Sequence, residues 1–324
     1  MKALVCRAYG LPHTLELAEV NQPQLQPDEV LVKVAYCGVN FPDTLIIQNK
    51  YQFKPILPFS PGGEVAGTVV ATGADVAQIK VGERVVGLCG WGGFAEYVAV
   101  KSTRVFVLPV ETNLLSAAAT FYNYATSYYA LKDRANLKPG EKLLVLGAGS
   151  GVGLAAVELG KLMGATVIAA ASADEKLERC KSKGADFVIN YTTHDLKESV
   201  KEIAHDGVDV IYDPIGGTLA ETALRTINWG GRYLVVGFAS GSIPNFAANV
   251  PLLKGASIVG VFWSGFAAKE PTRNAANMQQ LIQWHNEQKI SQQIYKTYSL
   301  QEAPQALQDV IDRKVIGKAV VQIE

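Results

Sequence analysis

Two hydrophobic rhythms divide the chain. Up to about residue 110, apolar positions come in short β-branched runs closed by turn residues. The run 31–35 alternates towards Gly38, 64–70 closes at Gly73, 83–88 leads into Gly90-Trp91-Gly92-Gly93, and 94–100 alternates again. Period-two runs at this density predict a small all-β barrel or sandwich. From about residue 115 the period lengthens. Residues 116–131 read as a helix rich in Ala and Tyr. Apolar strands at 142–146, 166–170, 187–189, 208–212 and 232–236 then alternate with helical patterns such as 151–163 and 174–182. Repeated β-α units predict a parallel, doubly wound sheet. A helix near 274–285 and a last strand over 318–323 end the chain. The expected fold class is α/β, a β-rich domain plus a doubly wound one.

Length and charge narrow the function classes. At 324 residues the chain is about twice a typical domain, so two domains are expected. Thirty Lys+Arg balance thirty Asp+Glu, which leaves no net field to attract a nucleic acid or an anionic membrane. The apolar start 3–6 is too short for a signal segment and is closed by Arg7; nowhere do eighteen apolar residues run together. Cys6, Cys37, Cys89 and Cys180 form neither CxxC pairs nor a dense disulfide frame. A reduced, cytoplasmic protein is expected.

The main chemical signal is 142–156, where an apolar strand runs into a glycine-rich turn and directly into an Ala-rich helix. Gly147, Gly149, Ser150, Gly151, Val152 and Gly153 make that turn, with Ser150 where a middle glycine could sit. Glycines let a pyrophosphate approach the backbone, and the helix N-terminus offers free N–H groups. NAD sites place an acid at the tip of the next strand to hold the ribose 2′-hydroxyl. Here the tip carries Ser172 and Lys176 instead, while Asp174 reads as a helix cap. A hydroxyl and an ammonium suit a 2′-phosphate, so NADPH is expected over NADH.

With these residues in view, the chain resembles the zinc-independent medium-chain dehydrogenase/reductase superfamily, and within it the zeta-crystallin-like NADPH:quinone oxidoreductases. The resemblance rests on motifs in family order: Cys37-Gly38-Val39-Asn40-Phe41-Pro42-Asp43, Pro61-Gly62-Gly63-Glu64, Val81-Gly82-Glu83-Arg84-Val85, the glycine loop, Asp213-Pro214-Ile215-Gly216-Gly217 and Ile316-Gly317-Lys318-Ala319. It implies a GroES-like substrate domain built from both chain ends (1–122 with 266–324) and an inserted Rossmann domain (123–265). It also implies no zinc. Zinc-dependent relatives carry a Cys just after the first motif's glycine and a His where this chain has Gly63. His13, His194, His205 and His285 lie apart from the cysteines.

The same resemblance places Asn40 at the nicotinamide end of the cleft, Tyr51 near the substrate, and Thr126 and Tyr129 along the cofactor. Burial with a satisfied hydroxyl explains either tyrosine equally well. Ser172, Lys176 and Tyr191 would surround the 2′-phosphate. Gly216, Gly237 and Phe238 would line the cofactor after later strands, and Gly317 and Lys318 would close the cleft. The implied reaction is hydride transfer from NADPH to a quinone or enone, with Asn40, Tyr51 and Thr126 as candidate donors to the developing oxyanion. Alternatives are an NADPH-dependent enoyl or acryloyl thioester reductase on the same scaffold, and a non-catalytic NADPH-binding sensor or crystallin-like protein. A homodimer is implied through an edge strand, for which 257–263 is the candidate; an internal strand buried by a helix fits the same apolar run.

Overall fold

The computed structural model describes residues 1–323 and divides into two compact units. The first comprises 1–122, 278–286 and the chain from 291 onward. Its central strand, Glu29–Gly38, pairs antiparallel with Glu64–Thr72, Tyr97–Lys101 and Lys318–Gln322. The last strand is thereby stitched to the first third of the chain, through Val320 opposite Gly38 and Val321 opposite Cys37. Alternation puts Val30, Val32 and Val34 on one buried face, packed with Val65, Val69, Val85 and Phe94. Each such side chain contributes about 1.5–3 kcal/mol on burial. Helix Phe41–Ile46 follows at once, started by Asn40 in extended conformation with Pro42 in its first turn, and anchored by buried Ile46 and Ile47.

The second unit comprises Asn123–Asn277 and Glu287–Ile290. Among the described residues its sheet has six strands, all parallel: Phe187–Asn190, Thr166–Ala171, Lys142–Leu146, Val208–Asp213, Ile227–Val235 and Ser257–Gly260, in that spatial order. Numbered along the chain, this is the order 3-2-1-4-5-6 of a doubly wound dinucleotide fold. Leu143 to Leu146 are wholly buried, as a strand covered on both faces requires.

Three expectations shift. Residues 266–277, expected with the terminal segment, cluster with the second unit. Tyr129 stacks on Phe266 at 4.2 Å, and Arg273 and Asn277 both bond Asp133, so side-chain contacts hold this stretch there. The expected 257–263 strand ends at Gly260, and Trp263 instead begins helix Trp263–Lys269, buried and donating to Asn274. The helix expected through 131 is α-helical only over Leu114–Tyr128 and continues as a π-helical turn, Tyr129–Arg134.

Candidate functional site

In the first unit the residues around Asn40 form a buried polar knot. Asn40, Asp43, Glu64 and Lys318 are between 0 and 5% exposed. Lys318 donates from Nζ to Asn40 Oδ1 at 2.5 Å and to Glu64 Oε2 at 2.7 Å. Asn40 Nδ2 donates to that same Glu64 oxygen at 3.2 Å and to the Gly38 carbonyl at 3.3 Å. The other Glu64 oxygen accepts the backbone N–H of Tyr122 at 2.7 Å, and the Lys318 ammonium stands 5.8 Å from the centre of the Tyr122 ring. Both amide hydrogens of Asn40 are thus engaged inside the protein, and its orientation is set from two sides.

Backbone shape makes this knot possible. A Cβ on Gly38 would meet the Ala118 carbonyl at 2.1 Å and Glu64 Oε2 at 2.7 Å, so only glycine admits the carboxylate. Gly317 has φ +84, and a Cβ there would lie 2.2 Å from the Gln293 carbonyl. That turn delivers Lys318, whose N–H then bonds Gln293. Asp43 accepts the backbone N–H of Asn40 at 2.7 Å. Its burial pushes its carboxyl up to about 7; Glu64 adds to the rise, while the Asn40 and Gly62 N–H groups and Lys318 oppose it. Nearby Cys37 is buried and Cys89 half-buried; desolvation drives the Cys89 thiol up to about 12 and the Cys37 thiol well above its ordinary value. Neither supplies a thiolate near neutral pH. Tyr51 is half-buried against the core of this unit, edge-on to Phe53 at 6.0 Å.

The second unit gathers its expected residues along the C-terminal edge of the parallel sheet. The glycine loop runs from strand Lys142–Leu146 into helix Gly151–Leu162, with Ser150 as N-cap accepting the Gly153 N–H at 3.2 Å. A Cβ on Gly153 would lie 2.4 Å from the Gly147 carbonyl, and Gly147 itself has φ +56. Ser150 therefore serves as a cap rather than as a substitute glycine. The first N–H groups of the helix, at Gly151 and Val152, have no intrahelical acceptor and define an anion cradle.

Ser172 and Tyr191 follow adjacent strands whose ends are in register, Asn190 beside Ala171. Lys176 lies on the first turn of helix Asp174–Ser182, its stem packed over Gly149 so closely that a Cβ there would be 2.6 Å away. Asp174 is the first residue of that helix rather than its cap, and its carboxylate accepts Asn190 Nδ2 at 2.7 Å.

Gly216, Gly237 and Phe238 come together around the buried Asp213. Its carboxylate accepts the N–H groups of Ile215 (2.7 Å) and Gly216 (3.0 Å) and the Tyr233 hydroxyl (2.8 Å). Burial raises its pKa against those three donors. Gly237 N–H bonds the Asp213 carbonyl, and a Cβ on Gly216, at φ +71, would press on Phe238 at 2.9 Å. Ile215 abuts Gly147, which brings this turn to the glycine loop.

Thr126 is half-buried beside Ser127, whose Oγ donates to the Val152 carbonyl at 3.0 Å and pairs with the Tyr212 hydroxyl at 2.8 Å. Tyr129 stands apart from this group, stacked on Phe266.

Sequence reasoning passed over Glu64, Asp43, Asp213 and Ser127. Glu64 did leave a signal: a lone carboxylate opening the otherwise apolar strand Glu64–Thr72. Asp213 left a weaker one, closing Val208–Asp213, a strand that also carries Asp209.

Two family models match: the alcohol dehydrogenase GroES-like domain over residues 26–110 and the zinc-binding dehydrogenase over 151–284. Bovine quinone oxidoreductase-like protein 2 is 37% identical, covering 100% of this chain and 93% of its own. Pig quinone oxidoreductase is 32% identical, covering 99% and 97%. The crystal structure of Escherichia coli quinone oxidoreductase complexed with NADPH is similar at a TM-score of 0.94, with 27% identity and full coverage of both chains.

Among the described residues, the zinc named in the second family's description finds no fitting donor set. At Gly63 even a methyl group would press on the Gly90 carbonyl at 3.0 Å, and the positions after Gly38 are Val39 and Asn40. Among the described residues, no three of His, Cys, Asp and Glu come together in a way that could hold a metal ion. Among those residues, too, no helix is long and apolar enough to cross a membrane.

Proposed function

Because the chain belongs to the quinone oxidoreductase family of the medium-chain dehydrogenase/reductase superfamily, with a GroES-like and a Rossmann-like domain, we propose that it is a zinc-free, NADPH-dependent reductase of quinones and related electron-poor carbonyls. The observation that carries the cofactor preference is the strand tip. Ser172, Lys176 and Tyr191 lie at the ends of two adjacent strands, while of the two acids on the next helix's first turn Asp174 is tied to Asn190 and Glu175 is exposed. The Lys176 ammonium is the group proposed to meet a 2′-phosphate there. NADPH, when bound, supplies a hydride that leaves the acceptor oxygen negatively charged, and solvent supplies the proton.

The residues have separable tasks. The glycine loop and the Gly151–Leu162 helix N-terminus bind the pyrophosphate. Asp213 holds the Pro214–Gly216 turn in shape through its bonds to Ile215 and Gly216. Asn40, Tyr51 and Thr126 are the proposed donors to the oxyanion. Of these, Asn40 must exchange a partner to donate, since Gly38 and Glu64 already take its two hydrogens.

Parallel assays with NADPH and NADH against benzoquinones, an enone and a 2-enoyl-CoA test the reading. NADPH oxidation well above NADH, fastest with a quinone, is the expected result. Fastest turnover of the enoyl-CoA transfers the assignment to a thioester reductase. NADPH binding with no turnover of any acceptor leaves a sensor or crystallin-like role.

The proposal extends to a homodimer formed through the Ser257–Gly260 edge strand. Ile258 (41%), Leu252 (78%) and Leu253 (71%) are exposed at this end of the sheet, and an open apolar edge invites pairing. Light scattering should give twice the 34.8 kDa chain mass, and a purely monomeric mass overturns it.

A further inference from the structure

Several cations of the second unit have an acidic partner: Lys161 pairs with Asp186, Lys181 with Glu178, Arg232 with Glu141 and Arg273 with Asp133. Four cations without such a partner share one place. Lys197, Lys201, Arg225 and Lys254 line a cavity of about 120 Å³, and among the described residues none of the four side chains is ion-paired or hydrogen-bonded. The acid in the lining, Asp206, is turned to His205 Nδ1 at 3.3 Å. The floor is formed by Gly207, Thr226 and Ile227, at the N-terminal ends of strands Val208–Asp213 and Ile227–Val235. The glycine loop and the Asp213 turn follow the C-terminal ends of their strands, so the cavity lies at the opposite edge of the sheet from the nucleotide cradle.

Ordinary helix electrostatics explains only part of this cluster. Lys201, Arg225 and Lys254 sit at the C-terminal ends of Leu196–Ile203, Gly217–Leu224 and Asn249–Lys254, where the helix dipole favours a cation. Lys197 is in the first turn of its helix, at the end that disfavours a cation. It also stands one turn from Lys201, a like-charge i,i+4 pair that weakens a helix. Four cations lining one cavity without counter-charges repel one another, and a bound anion offsets that repulsion. The size limits the ligand: sites for drug-sized molecules hold about 300–1,000 Å³, whereas this cavity takes little more than a phosphoryl group. Three ammonium groups and a guanidinium match the double charge and several oxygens of such a group.

We propose that this cavity is a subsite for a phosphomonoester or pyrophosphate group of a small molecule, separate from the cofactor cradle. The test is calorimetric titration of the full chain with inorganic pyrophosphate and with adenosine 3′,5′-bisphosphate, each with and without saturating NADPH. The expected result is one saturable site that persists with NADPH bound and weakens with salt. Its affinity should fall at least about ten-fold in Lys201→Gln/Arg225→Gln and, on different elements, in Lys197→Gln/Lys254→Gln. The control Lys181→Gln/Lys314→Gln removes two cations that have acidic partners elsewhere and should leave binding intact. NADPH titrations unchanged in all three variants show that they fold. Tighter binding of the bisphosphate than of pyrophosphate identifies a phosphate carried on a nucleotide; equal binding identifies the anion alone. Two results overturn the proposal: no saturable binding once NADPH is present, or the same loss in the control as in the cavity variants.

Discussion

Around Asn40, four polar side chains sit at 0 to 5% exposure, tied into one network by hydrogen bonds and charge. Around Gly149, Ser172, Lys176 and Tyr191 are half-buried, and the shape comes from backbone that admits no Cβ. The first region is held by charge pairing away from water, where a lone charge is expensive and a matched one is fixed in place. The second is less buried, and its helix N-terminus leaves N–H groups without intrahelical acceptors. The same residue type, lysine, therefore stands in different settings in each. Lys318 is buried in the architecture of its unit, and Lys176 is half-buried, with its stem over Gly149.

The sharpest way to break this contrast is to remove the two lysines alike. Lys318→Met strands the Glu64 carboxylate with only the Asn40 amide and the Tyr122 N–H, and it frees Asn40 Oδ1. Removing one partner of a buried pair costs roughly 3–5 kcal/mol. Urea unfolding should show that loss, and the double variant Glu64→Gln/Lys318→Met should recover part of it. A loss below about 1 kcal/mol in the single variant would mean that the knot is open to water, and the contrast would collapse.

The pH dependence tests the same knot more gently. Burial pushes the Asp43 carboxyl from 3.8 to about 7. Between those values the unfolded chain is ionised while the folded one holds its proton. The native state then binds more protons, so stability falls as pH rises through this window and levels off above about 7. The slope from this one group approaches about 1.4 kcal/mol per pH unit. Other carboxylates titrate as well, so the informative quantity is wild type minus Asp43→Asn. That difference should decline from pH 4 to 7; a flat difference means that Asp43 is ionised in the folded protein throughout.

How much of this was legible in the sequence differs between the two regions for a physical reason. The cradle is local: strand, turn and helix occupy consecutive residues, and each glycine marks a turn or a close approach, so Gly147 to Gly153 could be read directly. Even there, the role of Ser150 was set by its bond to Gly153 rather than by its place in a motif. The knot is non-local. Lys318 and Glu64 are 254 positions apart, and their meeting depends on the antiparallel pairing of the first and last thirds of the chain. Periodicity carries no information about that partnership. Nor did it separate strand from helix in the apolar run after Ser257, where the chain leaves the sheet at Gly260. Strand Ile294–Ser299 escaped notice because it is mostly exposed, with little apolar alternation to mark it.

The smallest expected effect on stability, and the most specific one on binding, comes from Lys176. Its stem packs over Gly149, and methionine keeps that stem while removing the ammonium. Lys176→Met should therefore change unfolding free energy by no more than about 0.5 kcal/mol, within the range of ordinary surface substitutions. NADPH carries the 2′-phosphate that the ammonium is proposed to meet, and a hydrogen bond to a charged group is worth about 1.5–3 kcal/mol. Fluorescence titration should then show NADPH affinity reduced roughly ten- to a hundred-fold. NADH, which has no charge at that position, should bind the variant as it binds wild type. If both cofactors weaken equally, the lysine acts through the shape of the glycine loop, and the preference for NADPH must be sought in Ser172 and Tyr191. If only NADPH weakens, one lysine sets the cofactor choice without supporting the fold, the reverse of what Lys318 does in the first unit.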